Sequence, residues 1–340
     1  MKNIIVTGGA GFIGSNFIKY ILNKYDYNIY NFDKLTYAGN LENLTEVEKN
    51  PKYKFVKGDI CDRTIVEKTV KENNIDTIIH FAAESHVDRS ILGSEEFIVT
   101  NVLGTQVLLD VAKNAGLEKY LQVSTDEVYG SLPEDKKEIK FTENTPLTTN
   151  SPYSASKAAA DLLCNAYYHT HKLPILITRC SNNYGPYQFP EKLIPLMIAK
   201  AKDGEKLPVY GDGKNVRDWL YVEDHCSAIC EVLHKGKLGD VYNIGGNNEW
   251  YNINIVKLIL KKLDKSEDQI SFVKDRPGHD RRYAIDSAKI QTEFGWTPKY
   301  QFEDGIEKTI QWYLDNEDWW RKIMSGEYLK YYDQNYADKT

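Results

Sequence analysis

The feature that most constrains the fold of this chain is a glycine-rich turn near its start. Gly8, Gly11 and Gly14 follow an apolar run at Asn3–Thr7 that predicts a strand, and they lead into a predicted helix at Gly14–Asn23. At such a junction the first glycine permits a tight turn, the second lets the backbone approach a pyrophosphate, and the third allows close helix packing. The helix start favours an anion through its free N–H groups and its dipole. The turn therefore predicts a dinucleotide-binding unit, although a glycine turn that only packs a helix would show the same spacing.

Short apolar runs alternate with helical stretches through the first half of the chain. Further strands are predicted at Tyr27–Asp33, Lys54–Asp59, Thr77–Ala82, Tyr120–Ser124 and Ile175–Arg179. The runs are continuously apolar, which is typical of strands covered on both faces. This alternation predicts an α/β fold with a doubly wound, parallel Rossmann-type sheet.

The second half is punctuated by prolines and indicates a separate lobe. A further sheet strand is predicted at about 240–246, and helices are predicted at Asn254–Leu263 and Gly305–Asn316. The 340 residues exceed the ~250–300 at which one core stops growing. We therefore predict a dinucleotide-binding domain at 1–184, whose sheet is completed by about 240–246, and a smaller, interleaved, discontinuous substrate-binding lobe at 185–330.

Composition excludes several classes of function. The net charge is -6 with 27% charged residues, which argues against nucleic acid as the main partner. No run approaches the ~18 apolar residues of a membrane helix, and the N-terminus enters a strand without a leader pattern. The five cysteines are odd in number and scattered, so we expect reduced thiols in a cytoplasmic protein.

The end of the second strand indicates which dinucleotide is bound. Asp33 lies roughly 20 residues beyond the glycine turn, where a carboxylate accepts hydrogen bonds from a ribose 2′-hydroxyl and repels a 2′-phosphate. NAD is therefore favoured over NADP, although Lys34 next to it weakens that preference. Asp59-Ile60 and Ala82–Ser85 end the next two strands, where ligands bind in open α/β sheets. They are candidates for contacts with the adenine and with the middle of the cofactor.

Two acid/base units follow the fifth strand. Tyr153 and Lys157 are four residues apart and share a helix face, so the ammonium and a positive nicotinamide ring would favour a phenolate that takes a proton from a substrate hydroxyl. Asp126 and Glu127 close the strand beside Ser124 and Thr125, whose hydroxyls are candidates for orienting a substrate oxygen. Two neighbouring carboxyl groups can hold different protonation states and act together as acid and base. A polar turn that only ends the strand is the alternative for the carboxyl pair.

On these motifs the chain resembles the extended short-chain dehydrogenase/reductases and, within them, the dTDP-glucose 4,6-dehydratase family. The matching segments are Thr7–Gly14, Phe81–Ser90, Ser124–Gly130, Ser151–Lys157, Arg179–Leu193 and Arg276–Asp280. The resemblance implies oxidation at C4 of the sugar with Tyr153 as base, removal of water from C5 and C6 with Glu127 as base and Asp126 as acid, and return of hydride to C6. It assigns Thr125 and Lys157 to the catalytic set as well.

The resemblance also implies the binding residues and an assembly. Besides the residues above, the cofactor set includes Phe12, Ile13, Thr36, Phe81, Ala82, Ala83, Ser85, Thr100 and Asn183. The nucleotide-sugar set is Ser85, His86, Thr125, Asn182, Glu191, Lys192, Leu193, Pro208, Tyr210, Arg217, Asn252, Arg276 and His279. Tyr210 is a candidate for stacking on the base, and Arg217 and Arg276 for the diphosphate. A homodimer is implied through the segment Ala82–Gly116, although a core-facing helix would show the same apolar spacing at Thr100–Asn114.

Some alternatives stay open on the sequence. A UDP-linked substrate differs by one methyl group, worth only ~1–3 kcal/mol in an apolar pocket. A 4-epimerase or decarboxylase shares the glycine and Tyr/Lys motifs, and a non-catalytic NAD-binding scaffold is a third class. His169 and His171 are more simply a polar helix end than a metal pair, and His80 is more simply a core histidine. No metal is expected.

Overall fold

A computed structural model describes residues 1–325 and has a parallel seven-stranded sheet at its centre. The strands are β1 (Asn3–Thr7), β2 (Asn28–Asp33), β3 (Tyr53–Lys57), β4 (Thr77–His80), β5 (Lys119–Thr125), β6 (Ile175–Cys180), β7 (Asn182–Tyr184), β8 (Leu207–Tyr210), β9 (Val216–Tyr221), β10 (Val241–Ile244), β11 (Glu249–Tyr251) and β12 (Ile270–Val273). The central sheet has the order β10-β6-β5-β4-β1-β2-β3, and all its pairs are parallel. The predicted doubly wound α/β fold is confirmed.

Helices cover both faces of this sheet and build the second lobe. They are α1 (Phe12–Lys24), α2 (Arg63–Glu72), α3 (Val87–Leu92), α4 (Glu95–Phe97), α5 (Thr105–Ala115), α6 (Pro152–His171), α7 (Leu193–Asp203), α8 (Val222–Lys235), α9 (Asn252–Lys262), α10 (Ala288–Phe294), α11 (Phe302–Asp315) and α12 (Glu317–Met324). A π-helical segment at Ile98–Gly104 precedes α5, and short 3₁₀ turns lie at Leu41–Leu44, Asp126–Tyr129 and Glu267–Gln269.

The continuous apolar character of the strands follows from two separate cores. Ile4 and Val6 of β1 point into a cluster with Phe17 of α1. Ile5 points to the opposite face, into a cluster with Ile78 of β4. Successive side chains of a strand alternate between the two faces of the sheet. When both faces are covered, odd and even positions of the strand must therefore both be apolar.

The second lobe has its own core and two small sheets, ordered β11-β9-β7 and β12-β8. Its chain is interleaved with the first lobe, because α8 packs against α1 and β10 pairs with β6 at the sheet edge. The boundary predicted at residue 185 stays a prediction, and residues 326–330 of the predicted lobe lie outside the described residues.

Several element boundaries differ from the prediction. β3 and β4 end at Lys57 and His80, two residues earlier than predicted, and the following residues turn away to form the loops at the edge of the sheet. The predicted helix at Thr100–Asn114 begins as π-helix, which is common near functional sites. There Asn101 bonds both backbone groups of Glu84, at 2.8 and 2.9 Å, and so fixes the loop after β4.

The histidines and cysteines take the structural positions expected of them. His80 is buried and bonds Thr7 Oγ1 at 2.7 Å and Thr105 Oγ1 at 3.2 Å, and burial lowers its pKa to about 3. His169 and His171 lie in the last turn of α6. All five cysteines are unpaired. Across residues 1–325 there is no cluster of three or more potential metal ligands and no helix able to cross a bilayer.

Candidate active site

The glycine turn has a backbone that only glycine accommodates. Gly8 has a φ of 67°, and a Cβ there would lie 2.6 Å from the backbone nitrogen of Ala82. A Cβ on Gly14 would lie 2.3 Å from the carbonyl oxygen of Gly8. Helix α1 starts at Phe12 after Gly11, which has no side chain to cap the free N–H groups. The helix start is therefore open to an anion, as the pyrophosphate of a dinucleotide requires.

Asp33 ends β2 beside this turn. Its carboxylate accepts from the N–H of Ala10 at 2.9 Å and from that of Leu35 at 2.7 Å, and these bonds partly offset the burial that raises its pKa. Lys34 is exposed and pairs with Asp59 at 2.7 Å. Lys34, whose charge weakened the predicted preference for NAD, thus forms an ion pair with a carboxylate of the loop after β3.

The other predicted cofactor residues lie at the carboxyl edge of the sheet or on segments next to it. They are Phe12 and Ile13 in α1, Thr36 after β2, Ile60 after β3, Phe81, Ala82, Ala83 and Ser85 after β4, Thr100 in the π-helical segment, and Asn183 in β7. Asn183 Oδ1 accepts a hydrogen bond from His225 Nδ1 at 2.9 Å, and the Asn183 side-chain amide nitrogen donates to the carbonyl of Ser181 at 3.0 Å.

Helix α6 carries Tyr153 and Lys157. It starts in a capping box between Ser151 and Ser154, which places the tyrosine in the first turn. Both side chains are buried, and Lys157 Nζ donates to the carbonyl of Val123 at 2.8 Å. Burial lowers the pKa of Lys157.

The protein groups around Tyr153 disfavour its phenolate. Burial and the charge of Glu127 raise the pKa of Tyr153 well above its usual range, against a smaller lowering by a hydrogen bond from Thr125. Lys157 is directed to a backbone carbonyl and is not among the largest causes of this shift in pKa, so its predicted support of the phenolate stays a prediction. The effect of the nicotinamide charge stays a prediction.

Asp126 and Glu127 lie in the 3₁₀ turn that follows β5 and have different surroundings. The Thr125 hydroxyl caps this turn, accepting from the N–H of Glu127 at 3.3 Å. Asp126 is 1% exposed, and burial followed by the charges of Glu127 and Asp218 raises its pKa well above the usual range. Burial also raises the pKa of Glu127, but nearby cations oppose it: Arg276, Arg217 and Lys192. The surroundings of Asp126 therefore favour its protonated form, while the cations near Glu127 favour its anion.

A cavity of about 180 Å³ lies between the lobes beside Glu127. Its lining includes every predicted nucleotide-sugar residue except Thr125. It also includes residues that were not predicted: Val87, Asp88, Leu196, Met197, Val209, Trp219, Val256 and Tyr283. The apolar ones carry no signal in the sequence that separates them from core residues. Asp88 lies inside the matching segment Phe81–Ser90, which was the available signal for it.

The cations of this cavity differ in how they are paired. Arg217 is buried, and its guanidinium donates to the carbonyls of Val216 at 2.8 Å and Asp280 at 2.9 Å. It forms no ion pair with any carboxylate in the described part of the chain, and burial lowers its pKa. Arg276 pairs with Asp88 at 3.1 Å, while Lys192 donates to the carbonyl of Ser85 at 3.0 Å.

Two further polar side chains of the cavity are fixed by neighbours. Glu191 is buried, accepts from the Tyr37 hydroxyl at 3.1 Å and lies 3.7 Å from His86, and burial raises its pKa. His279 lies 2.6 Å from Asp275, and burial lowers its pKa to about 4. His279 is therefore a neutral hydrogen-bonding group at neutral pH.

Comparison with known proteins identifies the family of this chain. The family model described as GDP-mannose 4,6 dehydratase matches residues 5–309. A dTDP-glucose 4,6-dehydratase of Xanthomonas campestris pv. campestris (strain B100) is 53% identical over 96% of this chain and 97% of its own. The crystal structure of dTDP-glucose 4,6-dehydratase from Bacillus anthracis str. Ames in complex with NAD is 55% identical, with a TM-score of 0.89 over 95% of this chain and 100% of that one. DesIV, a dTDP-glucose 4,6-dehydratase from Streptomyces venezuelae crystallised with NAD, is 47% identical, with a TM-score of 0.91 over 94% of this chain and 99% of that one. This chain belongs to the dTDP-glucose 4,6-dehydratase family.

Proposed function

We propose that the protein converts dTDP-glucose to dTDP-4-keto-6-deoxyglucose with loss of water, using NAD. The observation that carries this proposal is the contrast between Asp126 and Glu127. Burial favours the protonated form of Asp126, and Glu127 faces three cations, beside a Tyr/Lys pair in the same cleft. Oxidation alone needs only the Tyr/Lys pair, whereas elimination of water needs an acid and a base at once.

The glycine turn and Asp33 would hold NAD. The open start of α1 suits its pyrophosphate, and Asp33 suits the adenosine ribose. When bound, NAD accepts hydride from C4 of the sugar and returns it at C6, so the overall reaction is redox-neutral.

Tyr153 acts first, taking the proton of the sugar 4-hydroxyl. Because burial and the charge of Glu127 raise its pKa, the phenolate depends on added positive charge. Lys157, directed to the Val123 carbonyl in the described state, lies one helical turn from Tyr153 and is placed to contribute to that charge and to the nicotinamide ribose.

The ketone at C4 acidifies the proton on C5, and the carboxyl pair then removes water. Glu127 takes the C5 proton, and the electron pair of the broken C5–H bond forms the C5–C6 double bond. Asp126 gives its proton to the departing C6 hydroxyl, which leaves as water. After hydride arrives at C6, Glu127 returns its proton to C5.

After one turnover Tyr153 has gained a proton and Asp126 has lost one. The proton balance therefore requires a route for a proton from Tyr153 to Asp126. The Thr125 hydroxyl is hydrogen-bonded to Tyr153 and lies 3.4 Å from Asp126 Oδ1. Thr125 is therefore placed to pass the proton between them and to restore both groups for the next turnover.

The nucleotide diphosphate is assigned to Arg217, Arg276 and Lys192. A buried guanidinium without a carboxylate partner is costly unless an anion completes it, and Arg217 is in that situation. Tyr210 is placed at the same cavity for the base.

The test of this function is mass spectrometry of the products formed from dTDP-glucose and UDP-glucose, in parallel and without added reductant. We expect loss of one water from dTDP-glucose. A product that retains its 6-hydroxyl and is inverted at C4 would identify an epimerase instead, and preference for UDP-glucose would correct the nucleotide.

We also propose that the protein is a homodimer in the cytoplasm. Exposed apolar side chains lie on the π-helical segment and on α6, which pack against each other: Ile98, Val99, Leu103 and Leu162. A patch of this kind suits a second copy of the same face. The five free thiols suit a reducing compartment. Light scattering should give twice the chain mass for the natural protein and the chain mass for Leu103→Glu; an unchanged dimer in that variant would move the interface elsewhere.

A further inference from the structure

Asp88 is a carboxylate inside the proposed nucleotide-sugar site. It lies in α3 of the cofactor lobe, and its side chain is 12% exposed. It accepts from the Tyr210 hydroxyl at 3.0 Å and from Arg276 Nη1 at 3.1 Å, both of which belong to the second lobe. It therefore spans the cavity and contacts both the residue assigned to the base and one assigned to the diphosphate.

The Asp88 carboxylate pairs with Arg276, which is also a residue assigned to the diphosphate of the substrate. Arg276 is ion-paired with Asp88, whereas Arg217 forms no ion pair with a described carboxylate. Arg276 Nε is buried and donates to no acceptor among residues 1–325. A diphosphate that accepts a hydrogen bond from Nε approaches the same guanidinium that donates to Asp88 through Nη1. The diphosphate and the Asp88 carboxylate are then close together, and the two anions repel each other.

The size of the cavity fits the same picture. Ligand pockets usually measure ~300–1,000 Å³, and this one measures about 180 Å³ with the bonds of Asp88 in place. Asp88, Tyr210 and Arg276 all line this cavity, so a nucleotide sugar that occupies it meets the bonds that join them.

We propose that Asp88 is an affinity-determining residue of this site, an internal anion that competes with the diphosphate of the nucleotide sugar for Arg276. The inference depends on the proposed function, because it takes the diphosphate as the ligand of Arg276. Its consequence is weaker binding of both substrate and product, whose diphosphates are identical, and thus faster release of product.

The experiment is calorimetric titration of the NAD-loaded protein with thymidine diphosphate. Asp88→Asn should bind roughly tenfold more tightly than the natural protein, since one like charge has been removed. In an Arg276→Met background the same substitution should change Kd by less than about twofold, because non-additivity is expected only for groups that act on each other. Asp110→Asn is the matched control. Asp110 also accepts from an arginine and a tyrosine, Arg63 and Tyr167, both at 2.7 Å, but it does not line the cavity, so Kd should not change.

Each other outcome overturns the inference. Weaker or unchanged binding by Asp88→Asn would mean that Asp88 orients Arg276 and does not compete with the ligand. An equal gain in the natural and Arg276→Met backgrounds would mean a general charge effect. Asp88→Ser provides the same comparison if the asparagine variant does not fold. Turnover of dTDP-glucose by the natural protein tests the proposed function separately, because the Kd ratio of the variants does not depend on turnover.

Discussion

Replacement of Glu127 by glutamine should separate oxidation from loss of water. Glutamine keeps the size of the side chain and removes the base. A positioned general base contributes about 10²–10⁴ in rate, or roughly 3–5 kcal/mol of transition-state stabilisation at 1.36 kcal/mol per factor of ten. We therefore expect the elimination step to slow by that factor while hydride transfer from C4 proceeds.

The structure adds a second effect of the same substitution. The charge of Glu127 is one of the causes that raise the pKa of Asp126, after burial, and it also raises the pKa of Tyr153. Without that charge both pKa values should fall. The pKa of Asp126 should nevertheless stay above its usual range, because its burial and the charge of Asp218 persist. The first oxidation should therefore be no slower in the variant.

Rapid mixing of the NAD-loaded variant with dTDP-glucose in D₂O measures both steps. Reduced nicotinamide should accumulate in a single burst, and little deuterium should enter C5. Glu134→Gln is the control, since Glu134 pairs with Arg281 outside the cavity and should leave both steps unchanged. Incorporation of deuterium into C5 at the natural rate, or turnover within about threefold of the natural protein, would refute the assignment of Glu127 as the base.

Three other substitutions test the remaining groups. Tyr153→Phe should form no reduced nicotinamide on mixing with dTDP-glucose, and a normal burst would remove Tyr153 from the oxidation. Asp126→Asn should still exchange the C5 proton with solvent but release product about 10²–10⁴ more slowly. Because the folded pKa of Asp126 lies above the ordinary aspartate value of ~3.9, the natural side chain costs stability increasingly as pH rises above about 4. The melting temperature of Asp126→Asn should therefore rise relative to that of the natural protein as the pH increases over this range. Parallel pH profiles of the two proteins would contradict the raised pKa of Asp126. Arg217→Met should weaken binding of thymidine diphosphate by roughly 30-fold or more, the scale of losing one partner of a buried charge pair, without lowering the melting temperature of the free protein; unchanged affinity would place the diphosphate elsewhere.

The fold followed from the sequence because its signals are local. The glycine turn, the continuous apolar strands and Asp33 each report on a few adjacent residues, and the structure has the predicted parallel sheet. Element ends were less accurate. Asp59 follows Gly58 and accepts from the N–H of Cys61 in a turn, so it does not continue β3. Whether such a residue continues a strand or begins a turn depends on the loop that follows. The residue pattern of the strand carries no information about that loop.

The cavity was predictable only where a residue has distinctive chemistry. Arg217 and Arg276 could be proposed as cations from the resemblance, but their pairing could not. Among residues 1–325, Val216 and Asp280 offer Arg217 only carbonyls, whereas Arg276 meets Asp88 across the cleft. The contacts with Asp280 and Asp88 join residues more than sixty positions apart, and the sequence has no periodicity that relates them. Trp219 and Val256 line the cavity and look like core residues for the same reason.

Assigning opposite roles to adjacent carboxyl groups requires the turn in which they lie. Had β5 continued as a strand, Asp126 and Glu127 would point to opposite faces of the sheet. In the 3₁₀ turn, with about three residues per turn, successive side chains diverge by about 120°. Asp126 therefore enters the interior near Asp218, while Glu127 faces the cavity and its cations. The turn depends in part on Thr125, whose hydroxyl accepts the N–H of Glu127 and also contacts Asp126. The residue proposed to pass protons between the oxidation and elimination groups thus also holds the backbone that gives those carboxyl groups different pKa values.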